Sequence, residues 1–519
     1  MKLNTNRNGQ TLLLLTILSV LLLFPGLGKA PLWIFDEVRN AECAREMYER
    51  NDWIVPTFNG ELRTLKPPLH YYFMFGGFKL FGITEWGARF FSSVFGVLTI
   101  LVTYFFTKRF SSERHAMITC LVLLASTHFL FQFRMSVPDP YLIFLNTLSI
   151  YTAFAYFTEK KNSWLFVCAI SLGLGTLTKG PVAFLLPAAA VFVWLLWDKK
   201  IKQIFSLKIL LAGVIMLAIA LPWYLLVDKA TNGEWTKGFF LEHNIGRFSA
   251  PMEGHGGLFI IVPLFVLVGL LPASVFIGES LKNFRSKFST SFLRLSFCVM
   301  AVFIIFYSVS GTKLPNYPMP CYAFVATLFG YYIMEAVQKN KVKVYPFIIL
   351  LLINLALPIA VYLGISHEIE LKGYENLSAG LLTLTLSAIA GLYFSIRKRS
   401  KKAFLAIFIF YTVFNFLFLN WLYPVIYSNN PMSKTIGEVK KHEHVVSYKI
   451  FHPSFSYYLP ERIKVFESAD SLRQYLQQNK AVVISRTDFR DELKGIGLKE
   501  IAAHHDLFEL PSTLIMSNE

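Results

Sequence analysis

Between its first two long apolar runs the chain carries a dense set of carboxylates and cations. They are Asp36-Glu37-Val38-Arg39-Asn40-Ala41-Glu42, then Arg45 and Glu46, then Arg63 and Lys66-Pro67-Pro68-Leu69-His70. Charge gathered in one long loop beside a membrane calls for a functional explanation. Asp36 suits the N-cap of a helix running to about Glu49, with Val38, Ala41, Ala44 and Met47 as a narrow apolar stripe lying on the membrane. The spacing equally fits a salt-bridged surface helix in which Arg39, Glu42, Arg45 and Glu46 answer one another. Two prolines restrain Lys66. A lysine held just outside a bilayer is placed to grip a phosphate, or to snorkel to the interface.

Later segments add to this set. Glu242-His243-Asn244-Ile245-Gly246-Arg247 offers an acid–base or metal-binding pair, Glu242 and His243, and an arginine suited to bidentate phosphate contact. Thr178-Lys179-Gly180-Pro181 and Lys313-Leu314-Pro315-Asn316-Tyr317 each put a lysine at a break between apolar runs. Asp139, in Pro138-Asp139-Pro140, is expected to cap a helix. Converging cations beside one carboxylate suit sugar transfer from a polyprenyl phosphate. Negative charge grows on the leaving phosphate, fixed cations stabilise it, and a carboxylate takes the acceptor proton. Trp53, Phe58, Tyr71, Tyr72 and Trp86 would receive sugar faces or lipid, or form an interfacial belt.

The elements that must position these groups are apolar. Of the 519 residues, 54% are hydrophobic and only 16% charged, against about 25% charged in a soluble domain. This is a polytopic α-helical membrane protein. Windows of about 20 apolar residues give thirteen spans, near 11–28, 86–107, 115–131, 139–158, 163–178, 181–197, 206–227, 258–278, 291–309, 318–336, 345–365, 377–396 and 403–424. Lys2 and Arg7 precede the first, which we read as an uncleaved span rather than a signal peptide. With the N-terminus cytoplasmic, the loops at 108–114, 160–161, 199–202, 282–287, 339–343 and 397–402 all fall inside and are basic, whereas the short opposite loops hold single cations such as Arg134, Lys179, Lys313 and Lys372. The net charge of +17 is thereby spent on topology and anionic lipid, and no basic stripe points to nucleic acid. Loops 29–85 and 228–257 and a tail from 425 lie outside. The tail has β-like runs at 445–450, 463–466, 481–485 and 513–516 and helical runs at 433–441 and 468–478, a small α/β domain. The expected division is 1–424 and 425–519. The five cysteines suggest neither a metal knuckle nor a disulfide framework.

The first-loop motif, with Asp52-Trp53-Ile54-Val55-Pro56, Asn59-Gly60-Glu61 and Lys66-Pro67-Pro68-Leu69-His70-Tyr71, resembles the exported loop of the lipid A aminoarabinose transferases. These stand with the protein O-mannosyltransferases in the GT-C glycosyltransferase superfamily. The later Thr-Lys-Gly-Pro, Glu-His…Arg-Phe and Lys-Leu-Pro…Tyr motifs are similar too. The resemblance implies a GT-C-like fold and an inverting transferase in the bacterial inner membrane. It implies an undecaprenyl-phosphate sugar donor and a lipid A-type glycolipid or protein acceptor at the periplasmic face. It implies Asp36 as catalytic carboxylate, Lys66, Arg247, Lys179 and Arg39 around the donor phosphate, and Tyr317 in the site. Glu37, Glu42, Arg63, His70, Glu242, His243 and Lys313 complete the expected lining. Enzymes of that family carry a glutamate directly before Lys-Pro-Pro, able to join a histidine at a bound metal. Here that position is Leu65, a departure that counts against both the family's metal site and an aminoarabinose substrate; Glu242 and His243, by their own residue types, are the candidate ligands of a possible divalent ion. A transporter or flippase of lipid-linked sugar is the alternative reading; such proteins favour internal repeats and broken helices near the midplane.

Overall fold

A computed structural model describes residues 5–33, 36–252, 254–287 and 290–519; Lys2, Phe35 and Glu253 lie outside them. Each of the thirteen expected spans has a helical counterpart. In the first half these are α1 (Thr5–Leu23), α4 (Glu85–Phe110), α5 and α6 (Glu113–Ala125 and Thr127–Gln132), α7 (Asp139–Glu159), α8 (Asn162–Lys179), α9 (Val182–Trp197) and α10 (Leu207–Ala230). Between α1 and α4 lie α2 (Asp36–Glu49) and α3 (Leu69–Phe81). Among the described residues eight helices are long and apolar enough to cross a membrane, and a ninth span results if Ile261–Gly269 and Ala273–Ser286, bent by 114°, count as one. The others are shorter or broken: α5 and α6 part at Ser126, whose hydroxyl caps the second piece, and α1 and α9 are short apolar helices. Length and composition thus support eight or nine of the thirteen spans. Helix α7 is almost wholly buried, so the bundle closes around it.

Side-chain contacts collect every basic loop at one end of the bundle. Arg109 donates to Glu159 at 2.8 Å, Lys160 meets Gln203, and Arg294 donates to Asp198 at 2.7 Å. Asn283 donates to Glu335 at 2.9 Å, Tyr345 to Glu279 at 3.0 Å, and the Ser400 amide to Asn340 at 3.1 Å. The helices that begin or end in these loops carry their other ends, Asp139, Lys179, Pro181 and Ser310, to the opposite end.

Helix α2 departs from both sequence readings. Its stripe of Val38, Ala41, Ala44 and Met47 packs on Tyr71, Met74, Phe75 and Phe78 of α3, on Ala88, and on Tyr457 of the tail. The stripe meets protein, not lipid, and the polar side is buried as well. Arg45 donates to both oxygens of Glu42 at 2.7 Å and reaches the Ser456 carbonyl at 3.5 Å. Burial lifts the Glu42 carboxyl to about 7 against the pull of Arg45. Helices α3 and α4 approach so closely that a Cβ at Gly77 would run into the Gly87 carbonyl oxygen.

The tail forms a five-stranded mixed sheet. The short hairpin β1–β2 (Thr57–Phe58, Glu61–Leu62) precedes it in the chain. Strands β3 (His444–Tyr448), β4 (Lys464–Phe466), β5 (Ala481–Arg486), β6 (Lys499–His505) and β7 (Ser512–Ser517) lie in the order β4-β3-β5-β7-β6. Strand β3 runs parallel to β4 and β5; β7 is antiparallel to β5 and β6. Two joints seat the sheet on the membrane region. Asn59 exchanges hydrogen bonds with both backbone groups of Ile463, at 3.0 and 2.9 Å. At the second, His505 meets Glu368 at 3.0 Å, His504 meets Glu370 at 3.2 Å and Lys434 meets Glu370 at 2.6 Å.

Candidate active site

Helix α8 ends at Lys179 because Gly180 takes φ +79°, where a Cβ would also strike the Phe239 ring. That stop leaves the Lys179 ammonium 2.6 Å from Asp139 at the head of α7 and 4.7 Å from the centre of the Tyr317 ring. A π-helical segment, Gly238–Gly246, carries His243 and delivers Arg247; such wide turns recur at functional positions. Backbone bonds from Thr312 to the Arg247 carbonyl (3.0 Å) and from Gly311 to the Phe248 carbonyl (2.7 Å) stitch this segment to the next connection. Arg247 therefore reaches the Tyr317 hydroxyl, donating at 3.0 Å.

These side chains surround a cavity of about 460 Å³. Its polar wall is Lys66, Lys179, His243, Arg247 and Tyr317, and its apolar wall includes Val182, Leu185, Phe239, Phe240, Phe248 and Phe306. Leu185, Ile245 and Phe248 are exposed on the outer surface, so the cavity's greasy side opens toward lipid. Burial pushes the Lys66 ammonium down to about 7, helped by Lys179 and Arg247 and resisted by Asp139 and Asp36. Burial, then Arg247 and Lys66, likewise lower His243. Concentrated positive charge in a half-dry pocket is a receptor for a phosphate anion. Asp36 is exposed at the first turn of α2, beside the cavity rather than in its wall, and near enough for its charge to act on Lys66.

The remaining expected residues do not line the cavity. Glu37 lies in a buried ion pair, accepting from Arg89 at 2.7 and 2.9 Å and from the Trp33 and Ser136 amides. Burial raises its carboxyl, but Arg89 and the two amides outweigh that and hold it low. Glu42 is taken by Arg45, on the side of α2 facing the tail. Arg63 and His70 both approach the Asn40 amide oxygen, at 3.5 and 3.3 Å, and brace the loop from behind. Burial and the neighbouring Lys66 and Arg63 keep His70 well below its ordinary value. Lys313 is buried and donates to the Ser310 carbonyl at 2.6 Å. Arg39 is half-buried one turn beyond Asp36. Glu242 is exposed while His243 faces the cavity. Among the described residues no group of three or more His, Cys, Asp or Glu side chains could hold a metal ion. Two adjacent residues facing different ways, beside Lys66 and Arg247, do not fit a divalent cation.

Sequence reasoning missed Asp139. It does not cap: Pro138 occupies the cap position of α7, and the Asp139 carboxylate binds Lys179. The proline immediately before it was the available signal, since it already fixes the helix start. Asn244 and Tyr307, also in the cavity wall, carried no sequence signal.

A helical membrane body with a cation-lined cavity at one end, and an α/β tail seated at that end, is suited to act on a lipid-borne anion. Comparisons with known proteins agree. A family model described as dolichyl-phosphate-mannose-protein mannosyltransferase matches residues 11–236. A protein of Aquifex aeolicus is 32% identical over 354 residues, 66% of this chain and 69% of its own. The undecaprenyl phosphate-alpha-4-amino-4-deoxy-L-arabinose arabinosyl transferase of Edwardsiella ictaluri is 30% identical over 338 residues, 64% of this chain and 60% of its own. The crystal structure of ArnT from Cupriavidus metallidurans bound to undecaprenyl phosphate superposes with TM-score 0.82 at 19% identity, covering 98% of each chain. The Archaeoglobus fulgidus oligosaccharyltransferase gives TM-score 0.52 at 12% identity over 95% of this chain and 71% of its own. Over residues 11–236 the chain matches the dolichyl-phosphate-mannose-protein mannosyltransferase family model, and along nearly its whole length it shares the fold of the ArnT and oligosaccharyltransferase structures. It is a multi-pass membrane enzyme with their fold.

Proposed function

We propose that this chain moves a sugar, with inversion, from an undecaprenyl-type phosphate carrier to a lipid A-type glycolipid or a protein acceptor on the periplasmic face of the inner membrane. The observation that carries this reading is the gathering of Lys66, Lys179 and Arg247 on one wall of a cavity whose other wall is apolar. A phosphate on a hydrocarbon carrier presents both surfaces at once. As the bond from sugar to phosphate oxygen breaks, negative charge grows on the phosphate. Each fixed cation aimed at that charge contributes about 3 kcal/mol, roughly a hundredfold in rate. Tyr317 holds two of the cations in place through its ring and its hydroxyl. Asp36 is the base that takes the acceptor proton.

Orientation follows from the basic loops, which collect at the end opposite the cavity and belong in the cytoplasm. Residues 1–424 are then the transferase body, and 425–519 a periplasmic domain resting on the first loop. The relatives bear transferase names, and the charged groups gather at one end of the bundle rather than at a midplane site. Neither favours a transporter. The named relatives are matched over only 60% of their length, so sugar and acceptor are settled by assay. Purified protein in proteoliposomes with labelled undecaprenyl-phosphate sugar should transfer label to lipid A or to protein. Asp36→Asn should abolish transfer while still binding donor, and transfer at the normal rate by that variant would remove Asp36 from the mechanism.

A further inference from the structure

The turn joining β6 to β7, residues 506–511, does something the transferase reading does not call for. Among the described residues of the tail, three large hydrophobic side chains are exposed: Ile501 at 37%, Phe508 at 60% and Leu510 at 98%. Two of the three sit in this one turn. Asp506, Leu507 and Glu509 turn inward around a small cavity with His452 and Ser454, and Asp506 accepts from Thr513 at 2.8 Å. Phe508 and Leu510 point away with nothing of this chain over them. Phe508 stands at φ +61°, a conformation a bulky residue keeps only where its surroundings hold it. The holding contact is its own amide, which donates to Glu368 at 2.9 Å.

That contact fixes the turn's height above the membrane. Glu368 directly follows the apolar helix Tyr345–His367, whose Ile359, Tyr362 and Leu363 are exposed on its outer side. Five residues of helical rise from Leu363 to Glu368 amount to about 7.5 Å. The headgroup layer of one leaflet is about 5–7 Å thick. The other end of the same helix is tied into the basic loops through Tyr345, so Glu368 lies on the cavity's side of the membrane. Beside it the connection to the next span exposes Ile369, Lys372 and Tyr374, residue types that seat at a lipid interface.

We propose that the 506–511 turn is a membrane-contact loop that places Phe508 and Leu510 in the headgroup layer of the leaflet facing the tail. The partner is the bilayer surface itself. The inward turn of Asp506 and Glu509 keeps both carboxylates out of the lipid, and the outward pair gives the tail a further footing besides its contacts with the first loop and its joint at Glu368–Glu370.

All five native cysteines are buried, so an introduced one can be read alone. Leu510→Cys and Phe508→Cys are compared with Lys480→Cys, which immediately precedes β5 at the far end of the sheet and whose side chain is 81% exposed. Each carries an environment-sensitive fluorophore in proteoliposomes. The labels at 508 and 510 should be quenched by lipids bearing a headgroup or shallow-chain nitroxide, and should react with a water-soluble maleimide at least tenfold more slowly than position 480. Position 480 should be quenched by aqueous iodide and not by the lipids. Equal iodide quenching and equal maleimide rates at 510 and 480 would overturn the proposal. The readout needs no sugar transfer, so it stands apart from the assigned activity.

Discussion

Donor binding should take up a proton at Lys66. In the ligand-free site, burial and the charges of Lys179 and Arg247 bring this lysine from 10.5 to about 7. A phosphodiester carrier supplies the missing negative charge and restores the protonated form. The group's proton affinity is therefore higher in the complex, so binding is tightest below pH 7 and weakens as pH rises through that value. The slope approaches tenfold per pH unit, giving about 30-fold weaker binding at pH 8.5 than at pH 6 if the complex titrates well above that range. Water at the open cavity mouth makes this an upper bound. Other groups facing Lys66 do not add a slope here. His243 and His70 are held below their ordinary range by burial and the nearby cations, so both are neutral above pH 7. A sugar phosphodiester keeps one charge throughout. The assay is titration calorimetry with a non-transferable donor analogue between pH 6 and 9, in two buffers of different ionisation enthalpy, which reports proton uptake directly. Lys66→Arg should bind with a flat profile. A flat profile in the native protein, or the native slope surviving in Lys66→Arg, would refute the coupling.

Other expectations are simpler. Lys66→Ala and Arg247→Ala should each lower transfer at least a hundredfold, whereas Lys339→Ala, on an exposed pair with Glu335 at the basic end, should change it less than twofold in the same vesicle assay. Glu37→Gln should cost about 3–5 kcal/mol by leaving Arg89 buried without its carboxylate, seen as a lower denaturation midpoint in detergent; Glu37→Met with Arg89→Met should recover much of the loss. Gly77→Ala should prevent α3 from meeting α4 and remove folded protein from size-exclusion profiles, while Gly213→Ala, with open space around it, should be silent.

The apolar helices were legible because twenty greasy residues have few other fates, and all four expected tail strands lie at their predicted positions to within two residues. Strand β6 was not legible. Lys499-Glu500-Ile501-Ala502-Ala503-His504-His505 is an edge strand poor in β-branched residues, and it is held by β7 and by Glu368 and Glu370 far away in sequence. The site divides in the same way. Lys66, Lys179, His243 and Arg247 stood out by type and by their place at membrane-proximal breaks, Tyr317 only through the family resemblance, and the five share one cavity. Glu37 looked identical to a site carboxylate until its partner Arg89, 52 residues later, came into view. Charge marks a residue as consequential; only the neighbours decide between binding and bracing.

The covered stripe of α2 bears on how the protein is made. One of its packing partners, the segment around Ser456 and Tyr457, is synthesised some four hundred residues after Arg45. Until that segment is made, this flank of α2 has no cover from it. A chain cut short just before Ser456 would carry every residue of the cavity wall and still leave α2 without this partner, so completion of the first loop waits on the tail.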